Sequence, residues 1–399
     1  MTVDIAQRKR LLSPVQLGPV ALRNRTVKAA TFETMTPRGE VSDALIEWHR
    51  EFAAGGVGMT TLAYCAAGRE GLTFKDQIWM RPDVVPGLER FTAAMHHEGA
   101  AVAVQLGHAG WFADPKAIGG RPMGPSAQFS PKSMSRSRAM TEDDMARVRD
   151  DFAAAGRLAV EAGFDAVEVH LGHGYLLSQF LCPWNNKRTD AYGGSIENRA
   201  RFPREVVAAV RAAVGTDAAV TVKLNMEDGF KGGLQLDEGV AVARWLEADG
   251  TVDAIQLTGG HTTRTPMFLM RGDTPRKQMT EDDPNRLRRI VMRAGMELMM
   301  ADYDFEEAFF LASARTFLAA VDVPLMLLGG ITKLSTMTSA LAEGFAFVAM
   351  GRALIRQPDL VARIGNGTLL ESPCIPCNQC MAKVGIRPTR CVYRPYAGS

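Results

Sequence analysis

Two histidines and a tyrosine, His170, His173 and Tyr175, lie close together in this sequence of 399 residues. They come at the end of a short apolar segment, AVEVHLG, and are followed by a stretch with helical character. Two imidazoles and a phenol at this spacing form a compact set of donors that can hold a carbonyl or nitro oxygen and deliver a proton. A lone histidine is more often a satisfied core residue, but three such groups at one strand end favour a reaction site.

Eight short segments rich in apolar or β-branched residues recur along the chain, most of them separated by a helical stretch. They are residues 26–31, 59–66, 100–108, 166–172, 219–226, 254–260, 324–330 and 346–352. Because strand and helix alternate without a cue for an antiparallel hairpin, the sequence predicts a parallel sheet covered by helices. Eight such units fit an α/β fold, a closed (β/α)8 TIM barrel over residues 1–360. An open doubly wound sheet is the alternative, but the first strand lacks the G-x-G-x-x-G expected there.

Local signals support this organisation. The segment Thr141–Asp144, TEDD, predicts a capping box at the start of a helix. Residues 110–140 are rich in proline, serine and glycine, and residues 261–304 form a larger, methionine-rich insertion. Both follow predicted strands, so we expect long insertions on the C-terminal face of the barrel, where loops determine the substrate. Residues 361–399 form a short tail that contains cysteines and is expected to pack on the barrel.

Polar residues and glycines end several of these strands, at the edge of a barrel where active sites lie. Gln105 ends the third strand, the His170 group ends the fourth, and Lys223 ends the fifth. An ammonium at the tip of an apolar strand is costly to bury, so Lys223 needs a partner. Gln105 has a plain alternative as a structural amide at a strand end.

The seventh and eighth strands end in glycines, at Gly329-Gly330 and at Gly351-Arg352. Glycines let backbone N–H groups approach an anion closely, and the helix that follows adds a favourable dipole. An arginine beside them can pair with a phosphate. The alternative for these glycines is that they only turn the chain, but two such pairs on neighbouring strands favour a phosphate site, which barrels often have at this place.

The stretch HLGHGYLLSQFLCPWNNKRTDAYGGSIENRARF resembles the signature of the old yellow enzyme family of FMN-dependent ene-reductases. It contains His-x-x-His-x-Tyr-Leu, Asn-x-Arg-Thr-Asp, Tyr-Gly-Gly-Ser and Glu-Asn-Arg, and the likeness extends roughly over residues 12–394. The resemblance implies FMN as cofactor, NAD(P)H as hydride donor, and a small electrophilic alkene as substrate. The reaction implied is the reduction of activated C=C bonds in enones, enals and nitroalkenes.

The same resemblance implies roles for individual residues. His170 and His173 would bind the substrate oxygen, Tyr175 would protonate the α carbon, and Tyr64 would add an aromatic wall over the flavin. The residues implied to hold FMN are Ala29, Ala30 and Thr31 beside the ring, Gln105 and Lys223 at its pyrimidine edge, and Gly329, Gly330, Gly351 and Arg352 at its phosphate. Relatives commonly carry cysteine or threonine at the position of Phe32, so the flavin's surroundings differ here.

Four of the six cysteines, Cys374, Cys377, Cys380 and Cys391, fall in the last 26 residues. Their spacing suits a 4Fe-4S cluster or a tetrahedral zinc, and reduced thiols packed under the barrel are the third alternative. The tail resembles the cluster-binding segment of trimethylamine dehydrogenase and 2,4-dienoyl-CoA reductase. It therefore favours an alternative function, a flavin and iron–sulfur oxidoreductase that exchanges electrons with a partner protein and acts on an amine or enoyl-CoA substrate. The histidine pair favours the ene-reductase, and the complete set with Tyr175 argues against a flavin-binding protein without activity.

Composition excludes some classes of function. Hydrophobic residues make up 46% and charged residues 23% of the chain, as is usual for a soluble enzyme. A net charge of +2 gives no electrostatic reason to bind nucleic acid or an anionic membrane. No apolar run is long enough to cross a bilayer, and the start, MTVDIAQRKRLLSP, lacks the apolar core of a secretory signal. A cytoplasmic location is the expectation, and relatives that range from monomers to tetramers leave a homo-oligomer open.

Overall fold

A closed barrel of eight parallel strands forms the centre of the computed structural model, which describes residues 5–130 and 134–394. The strands, in chain order, are β1 (Thr26–Lys28), β2 (Met59–Ala66), β3 (Ala101–Gly107), β4 (Ala166–Leu171), β5 (Ala219–Asn225), β6 (Ala254–Thr258), β7 (Leu325–Leu327) and β8 (Phe347–Met350). Each strand pairs with its neighbour in sequence, and β8 pairs with β1 to close the barrel. The predicted TIM barrel is confirmed. The strands β1 and β7 end three residues earlier than predicted, because the chain turns away from the sheet there to form the loop that follows.

A helix follows each strand on the outside of the barrel. These are α1 (Asp43–Ala54), α2 (Val85–His97), α3 (Glu142–Glu161), α4 (Ile196–Val214), α5 (Leu236–Ala248), α6 (Leu311–Leu318), α7 (Leu334–Glu343) and α8 (Leu360–Asn366). The predicted capping box at the start of α3 is confirmed, since Thr141 and Asp144 bond each other's backbone N–H groups. No helix in the described ranges is long and apolar enough to cross a membrane.

The alternation of side chains along each strand divides the core into two layers. On β4, Val167, Val169 and Leu171 pack against the surrounding helices. The first inward residue of the strand, Ala166, belongs to a buried apolar cluster inside the barrel, the apolar plug, which also includes Met59 and Phe347. The next two inward residues are Glu168 and His170. Polar side chains therefore collect inside the barrel towards its C-terminal end, where the loops begin.

An antiparallel hairpin precedes the barrel, with strands Val15–Leu17 and Val20–Leu22. Leu17 and Leu22 are buried against the apolar plug. No cue for this hairpin was recognised in the sequence, nor for a second antiparallel pair, in which Phe129–Ser130 pairs with Ser135–Arg136. Strands of two or three residues are too short to show a periodicity, although Gly18-Pro19 is a turn signal.

The two long insertions lie where they were predicted, after β3 and β6. The first contains a 3-10 turn at Gly110–Phe112 and a short helix at Pro115–Ile118. The second contains the helices Pro266–Leu269, Arg276–Thr280 and Arg286–Met299. The tail after α8 contacts the barrel loops, for example through Ser372, whose hydroxyl donates to the carbonyl of Ala353 at 2.8 Å. The boundary between the barrel and the tail at residue 360 stays a prediction. In the structure, residue 360 is the first residue of α8.

Candidate active site

The loop after β4 is held in an uncommon backbone conformation. His173 has a φ of +60°, a region that residues other than glycine rarely adopt. Its N–H donates to Asn225 Oδ1 at 3.0 Å, and its carbonyl accepts from the N–H and the hydroxyl of Thr262 at 3.0 and 2.7 Å. Gly174 has a φ of +75°, and a Cβ there would lie 2.5 Å from the ring of His261. The ends of β5 and β6 thus hold this loop in one conformation.

The loop brings together the three groups that the sequence singles out. The ring centroid of His170 lies 4.9 Å from that of His173 and 4.7 Å from that of Tyr175. His173 Nε2 lies 2.8 Å from the hydroxyl of Thr258. The Nδ1 atom of His170 is buried and has no hydrogen-bond partner among the described residues. A buried polar atom of this kind is rare unless a ligand completes its bonding.

Burial determines the protonation of these groups. It lowers the pKa of His170 well below its ordinary value, with smaller contributions from His173 and Lys223. It lowers the pKa of His173 to about 3, again with a contribution from Lys223. Burial raises the pKa of Tyr175 to about 12. At neutral pH the site therefore holds two uncharged imidazoles and a phenol that keeps its proton.

Aromatic side chains enclose the site. The ring of Tyr175 contacts Tyr64 and Phe112 edge-on, with centroids 5.0 and 5.1 Å away. The hydroxyl of Tyr64 donates to the carbonyl of Gly71 at 3.0 Å, which fixes its ring. Trp111 continues the wall beyond Phe112, and its ring centroid lies 5.6 Å from that of Trp184. Tyr64 thus lies beside the proposed proton donor, and its place over the flavin stays a prediction.

A buried carboxylate, Glu168, lies below the histidines inside the barrel. It accepts hydrogen bonds from Gln105 at 2.7 Å, from Lys223 at 2.9 Å, and from Gln256 at 2.5 Å. Lys223 therefore has the partner that its burial demands. The sequence reasoning missed Glu168 and Gln256, although a charged or amide residue at an inward position of an apolar strand was the available signal. The Oε1 atom of Gln256 is buried and unpartnered within the described ranges, so it offers an acceptor to a ligand.

The loop after β1, which contains Ala29, Ala30 and Thr31, rests on a second buried charge network. The ammonium of Lys28 donates to Thr31 Oγ1 at 2.9 Å and to Glu33 Oε1 at 3.3 Å. His49 of α1 contacts the same Glu33 oxygen through Nε2 at 3.0 Å. Burial lowers the pKa of Lys28, and Glu33 opposes this effect. The network fixes the segment that was predicted to border the flavin ring.

The predicted phosphate site lies between the ends of β7 and β8. Gly329 and Gly330 have φ values of +113° and +71°, and a small cavity is lined by Gly330, Gly351 and Arg352. The guanidinium of Arg352, however, donates to the carbonyl of Arg271 at 2.9 Å and to the side chain of Asn378, on the tail side of this cavity.

The start of α7, which was expected to add a favourable dipole, is already occupied. The carboxylate of Glu307 accepts from the N–H groups of Thr332 and Lys333 at 2.8 and 3.0 Å. Backbone N–H groups at Gly330 and Gly351 are therefore the better candidates for a phosphate. With the unpartnered His170 Nδ1 and Gln256 Oε1, they fit a flat polar cofactor that ends in a phosphate.

All four tail cysteines line one cavity of about 160 Å³, together with Arg352 and Arg356. Burial raises the pKa of Cys374 to about 11 and that of Cys380 to about 12, and Arg352 opposes both shifts. In the part of the chain that the structure describes, no three His, Cys, Asp or Glu side chains are grouped closely enough to hold a single metal ion. Four thiols around one cavity are the donor set that either a 4Fe-4S cluster or a zinc ion would need.

The tail also contacts the loop after β1. The N–H of Thr389 donates to the carbonyl of Glu33 at 2.9 Å, and its hydroxyl donates to the carbonyl of Phe32 at 2.6 Å. The hydroxyl of Thr34 accepts from the N–H of Gly385 at 2.9 Å. The cysteine segment and the predicted flavin segment are thus neighbours.

Comparison with known proteins agrees with this geometry. A sequence profile of the NADH:flavin oxidoreductase / NADH oxidase family matches residues 10–261. The 4,4'-dithiodibutanoate disulfide reductase of Rhodococcus erythropolis is 47% identical over 384 residues, which are 96% of this chain and 95% of that protein. The multifunctional alkene reductase/demethylase OYE of Caballeronia cordobensis is 30% identical over 96% of this chain, which spans 52% of that longer protein.

A solved structure shares the fold. The old yellow enzyme homologue from Zymomonas mobilis superposes with a TM-score of 0.72 at 22% identity, over 92% of this chain and 95% of that one. The resemblance read from the His-x-x-His-x-Tyr stretch is confirmed by the family match and the alkene reductase relative, and with it FMN as cofactor and NAD(P)H as hydride donor. The chain belongs to the NADH:flavin oxidoreductase / NADH oxidase family.

Proposed function

We propose that this oxidoreductase transfers hydride from NAD(P)H, by way of FMN, to the activated C=C bonds of enones, enals and nitroalkenes. The observation that supports this most is the buried, unpartnered Nδ1 of His170, which lies beside a second imidazole and a protonated phenol. The alkene reductase activity in the name of the Caballeronia cordobensis relative supports the same reaction. Storage or transport of a flavin would need no such set of donors.

When bound, FMN supplies the two-electron chemistry, in which it takes hydride from NAD(P)H and gives it to the substrate. Its ring would be bordered by Ala29, Ala30 and Thr31, and its polar edge by Gln105 and Lys223. Its phosphate would be bound by the backbone at Gly330 and Gly351, with Arg352 as a further partner if its guanidinium turns from the tail. Gly329 would contribute by shaping the turn before Gly330. All of these roles remain predictions.

His170 and His173 activate the substrate in this proposal. Each neutral imidazole has one N–H to donate, and Thr258 can donate to His173 Nε2, which leaves the Nδ1 proton of His173 for the substrate. Two donors aimed at a carbonyl or nitro oxygen stabilise the negative charge that develops there when hydride reaches the β carbon. Removal of one such donor typically costs about 100-fold to 1000-fold in rate.

Tyr175 is the proposed proton donor. Its raised pKa, about 12, keeps the phenol protonated throughout the neutral range, so it holds a proton until a strong base forms at the α carbon. The rings of Tyr64 and Phe112 contact Tyr175 edge-on and help to bury it. The site therefore delivers one proton from a fixed direction.

The test is steady-state reduction of cyclohexenone and β-nitrostyrene with NADH and NADPH. Purified protein with bound FMN should reduce both alkenes, and Tyr175→Phe should lower the rate of reduction at least about 100-fold. The matched control is Tyr192→Phe, which removes a phenol that bonds Glu205 on the outside of the barrel. Equal rates for wild type and Tyr175→Phe would exclude the proposed acid, and no alkene reduction by any form would exclude the proposed reaction.

Reduction of an organic disulfide is a second candidate, favoured by the 47% identity with the disulfide reductase over nearly the whole of both chains. Hydride would attack one sulfur, the S–S bond would break, and the second sulfur would leave as a thiolate that takes one proton. The same site suits this reaction, since Tyr175 can supply that proton. Turnover of 4,4'-dithiodibutanoate without turnover of alkenes would favour this candidate.

We further propose that Cys374, Cys377, Cys380 and Cys391 bind a 4Fe-4S cluster. Four thiolates could hold a tetrahedral zinc ion as well as a cluster, and the iron and zinc content of the protein separates the two. A cluster is ligated by thiolates around a larger body, which suits cysteines that line one cavity beside Arg352 and Arg356. A cluster beside the flavin segment would also suit the alternative function, electron exchange with a partner protein.

Iron, zinc and sulfide analysis of anaerobically purified protein tests the cluster. We expect about four irons per chain, as a 4Fe-4S cluster requires, and their loss in Cys377→Ser. The control Cys182→Ser, at a buried cysteine of the barrel, should keep them. One zinc per chain, or no metal, would contradict the proposal. A loaded protein that reacts with an amine or enoyl-CoA but not with NAD(P)H would favour the alternative function.

A further inference from the structure

Arg264 is an exposed arginine that has no acidic partner among the residues that the structure describes. Arg264 lies on the loop after β6, and its guanidinium carbon is 5.1 Å from the ring of Trp184 and 5.3 Å from that of Phe230. In the described ranges, no carboxylate lies within 4.0 Å of it. Two aromatic faces hold the side chain by cation–π contact while its charge remains available.

The loop that carries Arg264 is bonded directly to the catalytic loop. His261 and His173 lie side by side as a parallel β-bridge, and Thr262 donates twice to the carbonyl of His173. The N–H of Arg264 donates to the carbonyl of His261 at 3.0 Å. The charge of Arg264 contributes to the lowered pKa of His261, second to burial. Arg264 is therefore fixed relative to the donors of the site.

The aromatic wall leads from the reaction site to this arginine. It starts at Tyr175, continues through Phe112 and Trp111, and ends at Trp184, on which Arg264 rests. A ligand whose reacting bond lies at the histidines would have an apolar surface beside it and a cation at the far end. That combination suits a molecule with an apolar spacer and a terminal acid group.

We propose that Arg264 forms an anion subsite that selects substrates with a carboxylate remote from the reacting bond. The proposal rests on the proposed function, because it assumes a substrate that reacts at His170, His173 and Tyr175. The guanidinium fork matches a carboxylate in geometry, and a lysine would keep the charge but not the paired hydrogen bonds. The subsite would act on affinity, since the carboxylate takes no part in bond making.

The test compares an acid with its ester. Para-carboxy-β-nitrostyrene and its methyl ester share one reacting bond and differ in charge, and 4,4'-dithiodibutanoate and its dimethyl ester form the corresponding disulfide pair. We expect the ratio of kcat/KM for acid over ester to fall about tenfold in Arg264→Gln, through KM, as for the loss of a hydrogen bond to a charged group. Arg264→Lys should keep part of the ratio. The control Arg244→Gln removes an exposed arginine from α5, on the outer face of the barrel, and should keep all of it.

Calorimetric titration with the saturated products of the nitrostyrene pair separates this inference from the proposed reaction. Tighter binding of the acid product that disappears in Arg264→Gln supports the subsite, even if neither nitrostyrene is turned over, in which case the proposed reaction alone fails. Turnover of acid and ester with a ratio that is the same in wild type and Arg264→Gln would overturn the subsite and leave the proposed reaction intact. Equal losses in Arg264→Gln and Arg244→Gln would also overturn it, because they indicate a general effect of charge.

Discussion

Replacement of Glu168 by glutamine should destabilise the barrel through Lys223. The two side chains are 3% and 2% exposed, and the ammonium lies 2.9 Å from the carboxylate. Removal of one partner from a buried ion pair costs about 3 to 5 kcal/mol, because the other charge remains buried without compensation. Glutamine keeps one oxygen that can accept a hydrogen bond, so we expect a loss of about 3 kcal/mol in the free energy of unfolding, the lower end of that range.

Thermal unfolding of the flavin-free protein, followed by circular dichroism, measures this loss without an effect of cofactor binding. An unfolding entropy of about 2.1 cal/mol/K per residue converts 3 kcal/mol into a decrease in Tm of about 4 °C for a chain of this length. The control Glu343→Gln breaks an exposed pair with Arg315 on the barrel surface. It should cost less than about 1 kcal/mol.

A double variant tests the cause. Glu168→Gln combined with Lys223→Met removes both charges, so its destabilisation should be about 2 kcal/mol smaller than the sum of the two single effects, within the range of coupling between contacting residues. Additive effects would refute the reasoning, since they would mean that the two charges do not compensate each other. A loss in Glu168→Gln no larger than in Glu343→Gln would refute it as well.

Three further predictions concern the reaction loop and its surroundings. His173→Leu should lower the kcat of β-nitrostyrene reduction about 100-fold, measured at saturating NAD(P)H, because leucine has no side-chain N–H group and one of two donors is lost. The pKa of His261 is about 3 in the folded protein and about 6.5 when unfolded. Only the unfolded chain binds this proton between those values, so stability should fall as the pH drops from about 6.5 towards 3, and His261→Asn should flatten the plot of Tm against pH in that window. Gly174→Ala should lower the Tm more than Gly194→Ala, since both have positive φ but only the first brings a Cβ within 2.5 Å of His261.

Sequence patterns were sufficient for the barrel and for the loop after β4. Alternating apolar strands and helices specify a parallel sheet, and the C-terminal ends of its strands must share one edge. His170, His173 and Tyr175 follow each other within one loop, so their proximity was readable without knowledge of the fold. The proximity of Gly330 and Gly351 could be predicted for a related reason, because neighbouring strands end at the same edge of the barrel.

Hydrogen-bond partners from distant parts of the chain could not be predicted from the sequence. Glu168 lies 55 residues from Lys223 and 88 from Gln256, and its own surroundings, AVEVHLG, indicate only a strand. Lys28 was missed for a different reason. It lies on the outer face of β1, where a charged residue suggests contact with water, yet it is 0% exposed because α1 and the following loop cover it. Arg352 was read as a phosphate ligand, and its contact with Asn378 depends on how the tail folds back.

The network of Lys28, Glu33 and His49 has a consequence for the evolution of this enzyme. Each residue compensates the others inside the protein, so a single replacement leaves a charge or a polar ring without its partner. Substitutions at these positions are therefore tolerated only when two or three of them arise together, which is a rare event. The segment between β1 and α1 should change slowly among descendants, while the insertions after β3 and β6 diverge and bind new substrates beside an unchanged flavin segment.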